Sequence, residues 1–110
     1  MLRRTIVLAI AVMSCAPAFS QEAGDVMQGQ ELAQSVCAEC HAVAPGAIRS
    51  PNGHAPTFDT IAHMPGMTPI AIRVWLRSAH KEMPNIMLSR DETDNVIAYL
   101  ASLKADGAER

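Results

Sequence analysis

From Gln21 onward the chain holds one phenylalanine, one tyrosine and one tryptophan: Phe58, Tyr99 and Trp75. Aromatic side chains supply the largest buried areas in a protein core. A domain of 90 residues already buries a low fraction of its surface and is marginally stable. Chains this poor in apolar bulk borrow stability from disulfides or a metal. Here two cysteines follow residue 20, Cys37 and Cys40. A disulfide between them would close too short a loop to contribute much. Something large and flat is missing from the polypeptide itself.

The first twenty residues stand apart from that domain. Arg3 and Arg4 form a short basic start, Thr5 to Met13 is an apolar run, and Ala18-Phe19-Ser20 closes it with small residues at the outer positions. This pattern reads as a secretory signal peptide at residues 1–20, cut after Ser20, which leaves a domain at residues 21–110. The apolar run is too short for a membrane span. Val12-Met13-Ser14-Cys15 loosely resembles a lipobox, but Met13 fits it badly, so lipidation at Cys15 is the lesser reading. Without Arg3 and Arg4 the chain keeps seven basic against eleven acidic residues, a formal charge of −4. No basic stripe exists, which argues against a nucleic-acid partner. No later stretch is apolar for long enough to cross a membrane, so the expectation is a soluble, periplasmic protein.

Helical signals account for the ordered part, and no strand pattern competes. Asp25 is an N-cap for a first helix that carries Met27, Leu32, Val36 and Cys37 towards Cys40 and His41. Residues 42–56 are broken by Pro45-Gly46, Pro51-Asn52-Gly53 and Pro56, and a long irregular stretch of this kind usually serves function. Thr57 caps a short turn through Ile61. Thr68-Pro69 starts a third helix, with Ile72, Trp75, Leu76 and Ala79 along one face. Ser89-Arg90-Asp91-Glu92 is a capping box for the last helix, which lays Val96, Ile97, Leu100 and Leu103 along one side. The domain reads as all-α.

Cys37-Ala38-Glu39-Cys40-His41 is the decisive segment, because C-x-x-C-H is the attachment signature of haem c. Two thiols one helical turn apart can add to the vinyl groups on one edge of a porphyrin, and the next histidine is carried under the iron. A thioredoxin-like redox pair would need a βαβ setting, which is absent. A structural zinc site would need two further ligands, and His54, His63 and His80 lack the spacing to supply them. One covalent haem c is therefore the expected cofactor, with His41 on its iron.

The iron has a second axial position, and a methionine thioether suits it in an electron carrier. Met64, Met67, Met83 and Met87 are the candidates after His41. Met64 and Met67 flank Pro65-Gly66 and are read as packing residues. Met83 lies in the loop Lys81-Glu82-Met83-Pro84-Asn85, stiffened by Pro84 and presented between two helices. Met87, next to Leu88 and the capping box, is read as a core residue and is the alternative ligand.

In this ordered set of features the chain resembles the class I c-type cytochromes of the short bacterial kind, over nearly all of Asp25 to Lys104. Gly29, eight residues before Cys37, matches a glycine that in the family lets the first and last helices cross closely. Val96-Ile97-Ala98-Tyr99-Leu100 resembles the family's last-helix motif, with Tyr99 and Leu100 at that crossing. Ala55-Pro56 resembles the proline-bearing loop, which implies that the Pro56 carbonyl accepts the ring N–H of His41. Met83-Pro84 resembles the distal methionine loop. The resemblance implies a small cytochrome c fold, about four helices wrapped around one haem with the terminal helices crossing. The chain departs from the family at Ala33, where an aromatic residue is common, and Leu32 or Val36 is expected to fill the space. A tryptophan or arginine in the family donates to a haem propionate. Trp75 and Arg49 are the candidates; Trp75, on the apolar face, is read first as a core residue and is carried as a cofactor contact beside that reading. His54, His63 and His80 are read as solvated; the alternative is that one of them, His80 first, replaces methionine on the iron, although none lies in a loop that resembles the family's distal one.

Two protein ligands leave no open site for substrate, and no nucleophile–base pair suggests catalysis. The expected role is single-electron carriage between protein donors and acceptors of a respiratory or dehydrogenase chain, by a monomer that is not an enzyme. The alternatives are a dedicated cytochrome subunit of an exported dehydrogenase or oxidase complex, or a gas-binding sensor with an open sixth position.

Overall fold

Each helix begins where its capping residue stands. In the computed structural model, which describes residues 24–78, 80 and 82–109, α1 spans Val26–Ser35, α2 Phe58–His63, α3 Pro69–Arg77 and α4 Arg90–Ala108. The expected leader at residues 1–20, with Cys15, and Ala79, expected on the third helix, lie outside the described residues. Asp25 Oδ1 accepts from the Gln28 N–H at 2.9 Å, Thr57 Oγ1 from Thr60 at 3.0 Å, and Thr68 Oγ1 from Ala71 at 3.2 Å, with Pro69 at the first helical position. At Ser89 the capping box is complete: its Oγ accepts from the Glu92 N–H at 3.2 Å, and its own N–H donates to Glu92 Oε2 at 2.7 Å. The Ser89 N–H first, and then the Ser89 hydroxyl, hold the Glu92 carboxyl below the usual carboxylate range. Each cap satisfies an N–H left over at a helix start and contributes about 1 kcal/mol. No strand occurs among the described residues.

The molecule is organised on the crossing of α1 and α4. Gly29 is buried there, and a Cβ on it would stand 1.9 Å from the Asn95 carbonyl oxygen and 3.0 Å from the Tyr99 Cβ. Only hydrogen fits between the two backbones. One helical repeat later Ala33 is fully buried, so an aromatic ring at that position would have no room, and half-buried Leu32 and Val36 pack beside it. The Asn95 side chain ties the crossing further: Oδ1 accepts from the Asp25 N–H at 2.8 Å. From α4, Val96, Leu100 and Leu103 run into the core with Phe58 and Ala62 of α2 and Ile72 of α3. An Arg73–Asp94 ion pair pins α3 to α4.

Two expectations need correction, at Met87 and Trp75. Met27 is 73% exposed, off the buried face of α1. That face is the small-residue line Gly29–Ala33–Cys37, and two residues along an α-helix is more than half a turn, which turns Met27 away. Met87 is 85% exposed and packs in no core, because residues 83–89 run over the surface without helical structure. Trp75 is 51% exposed; α3 buries Ile72 and packs Leu76 against α4, which leaves Trp75 at the helix edge rather than in the core.

The irregular stretch after the cysteines is tied down at close intervals. The Ala42 N–H donates to the Oγ of buried Ser50 at 3.0 Å, the Asn52 N–H to the Cys40 carbonyl at 3.1 Å, and the Phe58 N–H to the Ala42 carbonyl at 2.9 Å. Buried Tyr99 donates its hydroxyl to the Val43 carbonyl at 2.6 Å, a link across 56 residues of sequence, and burial pushes the pKa of its phenol up. These bonds satisfy backbone groups that would otherwise be buried at a cost.

Candidate functional site

α1 stops at Ser35, and a single 3₁₀ turn, Cys37–Glu39, carries the chain on. The Cys40 and His41 N–H groups both donate to the Cys37 carbonyl, at 3.2 and 2.9 Å. The tight turn brings Cys37, Cys40 and His41 to the wall of one cleft. Both thiols are free. Cys37 is buried, and desolvation pushes its pKa up to about 11, so in this setting it is a protonated thiol and a poor redox nucleophile.

His41 is oriented from behind. Its Nδ1 lies 2.6 Å from the Pro56 carbonyl oxygen. A carbonyl can only accept, so Nδ1 carries the proton and Nε2 keeps its lone pair, the tautomer a metal-ligating imidazole needs. The ring stands edge-on to Phe58, centroids 5.7 Å apart, and Phe58 in turn packs on Tyr99 at 6.2 Å. The imidazole is thus braced through two aromatic rings to the loop carbonyl of Val43.

In front of His41 lies a cavity of about 350 Å³, with a floor of Phe58, Ile61, Ile72, Leu76, Val96 and Leu100. A smaller hollow of about 130 Å³ continues it past Cys40 and His54. The two share Cys37, His41, Pro56, His80 and Met83, and together they form one cleft. An apolar slot, two thiols and a lone-pair nitrogen on one wall, and a half-buried thioether in the lining make a donor set that fits haem c. Among the described residues no group of three His, Cys, Asp or Glu side chains is arranged as a bare metal site.

The other candidates separate by position. Met83 lines both parts of the cleft; Met64 and Met67 line only the larger part, and Met87 lines neither. Trp75 lines the larger part and stands edge-on to His80, centroids 5.0 Å apart. Arg49 is exposed and lines neither part. Of the histidines, His54 is on the rim, with its side chain 82% exposed. His63 is outside the cleft, its Nδ1 2.8 Å from the Asp59 carbonyl oxygen and its ring against Gly107. His80, read from sequence as solvated, is half-buried and lines both parts. Its placement depends on the path of an irregular segment, for which sequence periodicity carries no signal.

Residues 24–100 match the family described as cytochrome c oxidase, cbb3-type, subunit III. Cytochrome c-552 of Bradyrhizobium diazoefficiens is 36% identical over 102 residues, which cover 92% of this chain and 94% of that protein. No solved structure matches the chain. The chain belongs to this cytochrome c family: it is an all-helical, monohaem electron carrier that binds haem c covalently, and Cys37 and Cys40 fit the thiol pair of the attachment motif.

Proposed function

We propose that the protein is an exported carrier of single electrons between protein partners of a respiratory or dehydrogenase chain, with its iron held between His41 and Met83. Cys37 and Cys40 hold the haem by thioether links. His41 ligates through Nε2, and the Pro56 carbonyl fixes its ring and makes it more basic. Met83 supplies the distal thioether, and Trp75 closes the larger part of the cleft at the edge of α3. Bound haem supplies a one-electron couple at iron, and histidine–methionine ligation sets that couple high.

The observation that carries this reading is the 2.6 Å bond from His41 to Pro56 beside a cleft whose lining includes Met83 in both its parts. With both axial positions filled by the chain, no site remains for a substrate or a gas, which favours a carrier over an enzyme or a sensor. Residues 1–20 are a signal peptide and the destination is the periplasm. We take the carrier to be a free monomer; co-purification with a larger subunit would instead mark it as a dedicated subunit of a complex, which is what the description of the matched family names. No helix among the described residues is long and apolar enough to cross a membrane.

The test is electronic spectroscopy with potentiometry on the purified holoprotein. The ferric protein should show the weak sulfur-to-iron charge-transfer band in the far red. Met83→Ala should abolish it and lower the reduction potential, while Met87→Ala should leave both unchanged. A band that survives in Met83→Ala and disappears in Met87→Ala would move the distal ligand to Met87.

A further inference from the structure

His80 and Met83 share one turn. The Met83 N–H donates to the His80 carbonyl at 3.2 Å, and both residues line both parts of the cleft. The His80 Nδ1 lies 3.0 Å from the Ser78 carbonyl oxygen. That acceptor puts the proton on Nδ1 and leaves the Nε2 lone pair free, the same tautomer that Pro56 selects in His41. Trp75 stands edge-on to the ring at 86°, against the face of the cavity that Trp75 itself lines. Neither other histidine combines these features: His63 lies outside the cleft, and His54 is on the rim, leaning towards the Glu82 carboxylate at 4.0 Å.

The turn itself is strained. Glu82, between the two side chains, has φ 67, a left-handed conformation that residues with a Cβ adopt at a cost.

We propose that His80 is a reserve ligand on the distal side of the haem: when Met83 leaves the iron, His80 Nε2 takes its place, and Trp75 is the residue that positions its ring. The proposal rests on the reading of Met83 as the distal ligand. The exchange breaks one iron–sulfur bond and forms one iron–nitrogen bond, with no proton or electron moved, because the imidazole already carries its proton on Nδ1. Tethered three residues from Met83, the imidazole competes with solvent at a high effective concentration. Loss of the methionine therefore leaves the iron closed to outside ligands.

The experiment compares haem-loaded Met83→Ala, Met83→Ala/His80→Ala and Met83→Ala/Trp75→Leu at neutral pH, by electron paramagnetic resonance of the ferric form and by cyanide binding. Met83→Ala should lose the far-red band yet stay low-spin, and should bind cyanide at least about tenfold more slowly than Met83→Ala/His80→Ala, which should be high-spin. Met83→Ala/Trp75→Leu should fall between them. Met83→Ala/His80→Gln serves in place of the alanine double variant if that one does not fold. A high-spin Met83→Ala that matches the double variant overturns the reserve ligand and leaves the Met83 assignment standing. A low-spin double variant overturns it too, in favour of another histidine. Survival of the far-red band in Met83→Ala overturns both readings.

Discussion

Residues 37–58 and residues 80–89 both line the haem cleft, but they are held in different ways. The first run begins at the α1–α4 crossing, and hydrogen bonds at Cys40, Ala42, Val43, Pro56 and Phe58 tie it to the core or to itself. The described residues of the second run, 80 and 82–89, have no regular structure before α4. Among these described residues two backbone bonds form, Met83 to His80 and Leu88 to Ile86, and Glu82 is left-handed. One wall is built by the polypeptide. The other is a loop with few bonds of its own, for which the proposed Met83–iron bond would be the main tether, and local stability should follow that division.

The largest effect should come from removing the haem, because both walls line the same apolar cavity. Cys37→Ala/Cys40→Ala should lose its haem on acid extraction, and circular dichroism should show much reduced helix without a cooperative thermal transition, since ligand binding and folding are linked. A haem-free chain that melts cooperatively near the holoprotein's temperature would mean that the core is self-sufficient. A smaller effect, confined to the built wall, is expected from Gly29→Ala. The nearest atoms to the new methyl group are backbone, so relief requires moving α1 from α4, at about 1–3 kcal/mol or more for overpacking. Chemical denaturation of the holoprotein would measure it, and the far-red band should be unchanged.

The smallest effect lies where the loop meets α4. Bonds to Ser89 lower the Glu92 carboxyl pKa in the folded state relative to its usual value of 4.5. Its ionised form therefore contributes stability that is present above about that pH and is lost as pH falls through the lowered value. Glu92→Gln should be less stable than the natural protein at neutral pH, and the difference should shrink as the pH is taken below 4.5. A difference that is constant with pH would show that the carboxylate charge plays no part in the cap.

The same division governs what the sequence made legible. Asp25, Thr57, Thr68 and Ser89 are local signals and mark the helix starts as observed. Cys37, Cys40 and His41 are legible because their spacing is itself the chemistry. The link from Tyr99 to Val43 is a contact across the chain, and no local pattern announces it. Trp75 and Met87 are apolar residues whose pattern points to the core; the structure exposes them because helix phase and loop path, rather than hydrophobicity, decide burial. His80, expected to be solvated, lines the cleft for the same reason.

Amide hydrogen exchange tests the contrast between the two walls most directly. In haem-loaded Met83→Ala/His80→Ala, the amides of Met83 and Leu88 should lose protection relative to the natural holoprotein. Those of Ala33, Phe58 and Leu100 should keep theirs within error. Equal loss in both sets, or no loss at Met83 and Leu88, would contradict the claim that iron ligation holds the distal loop.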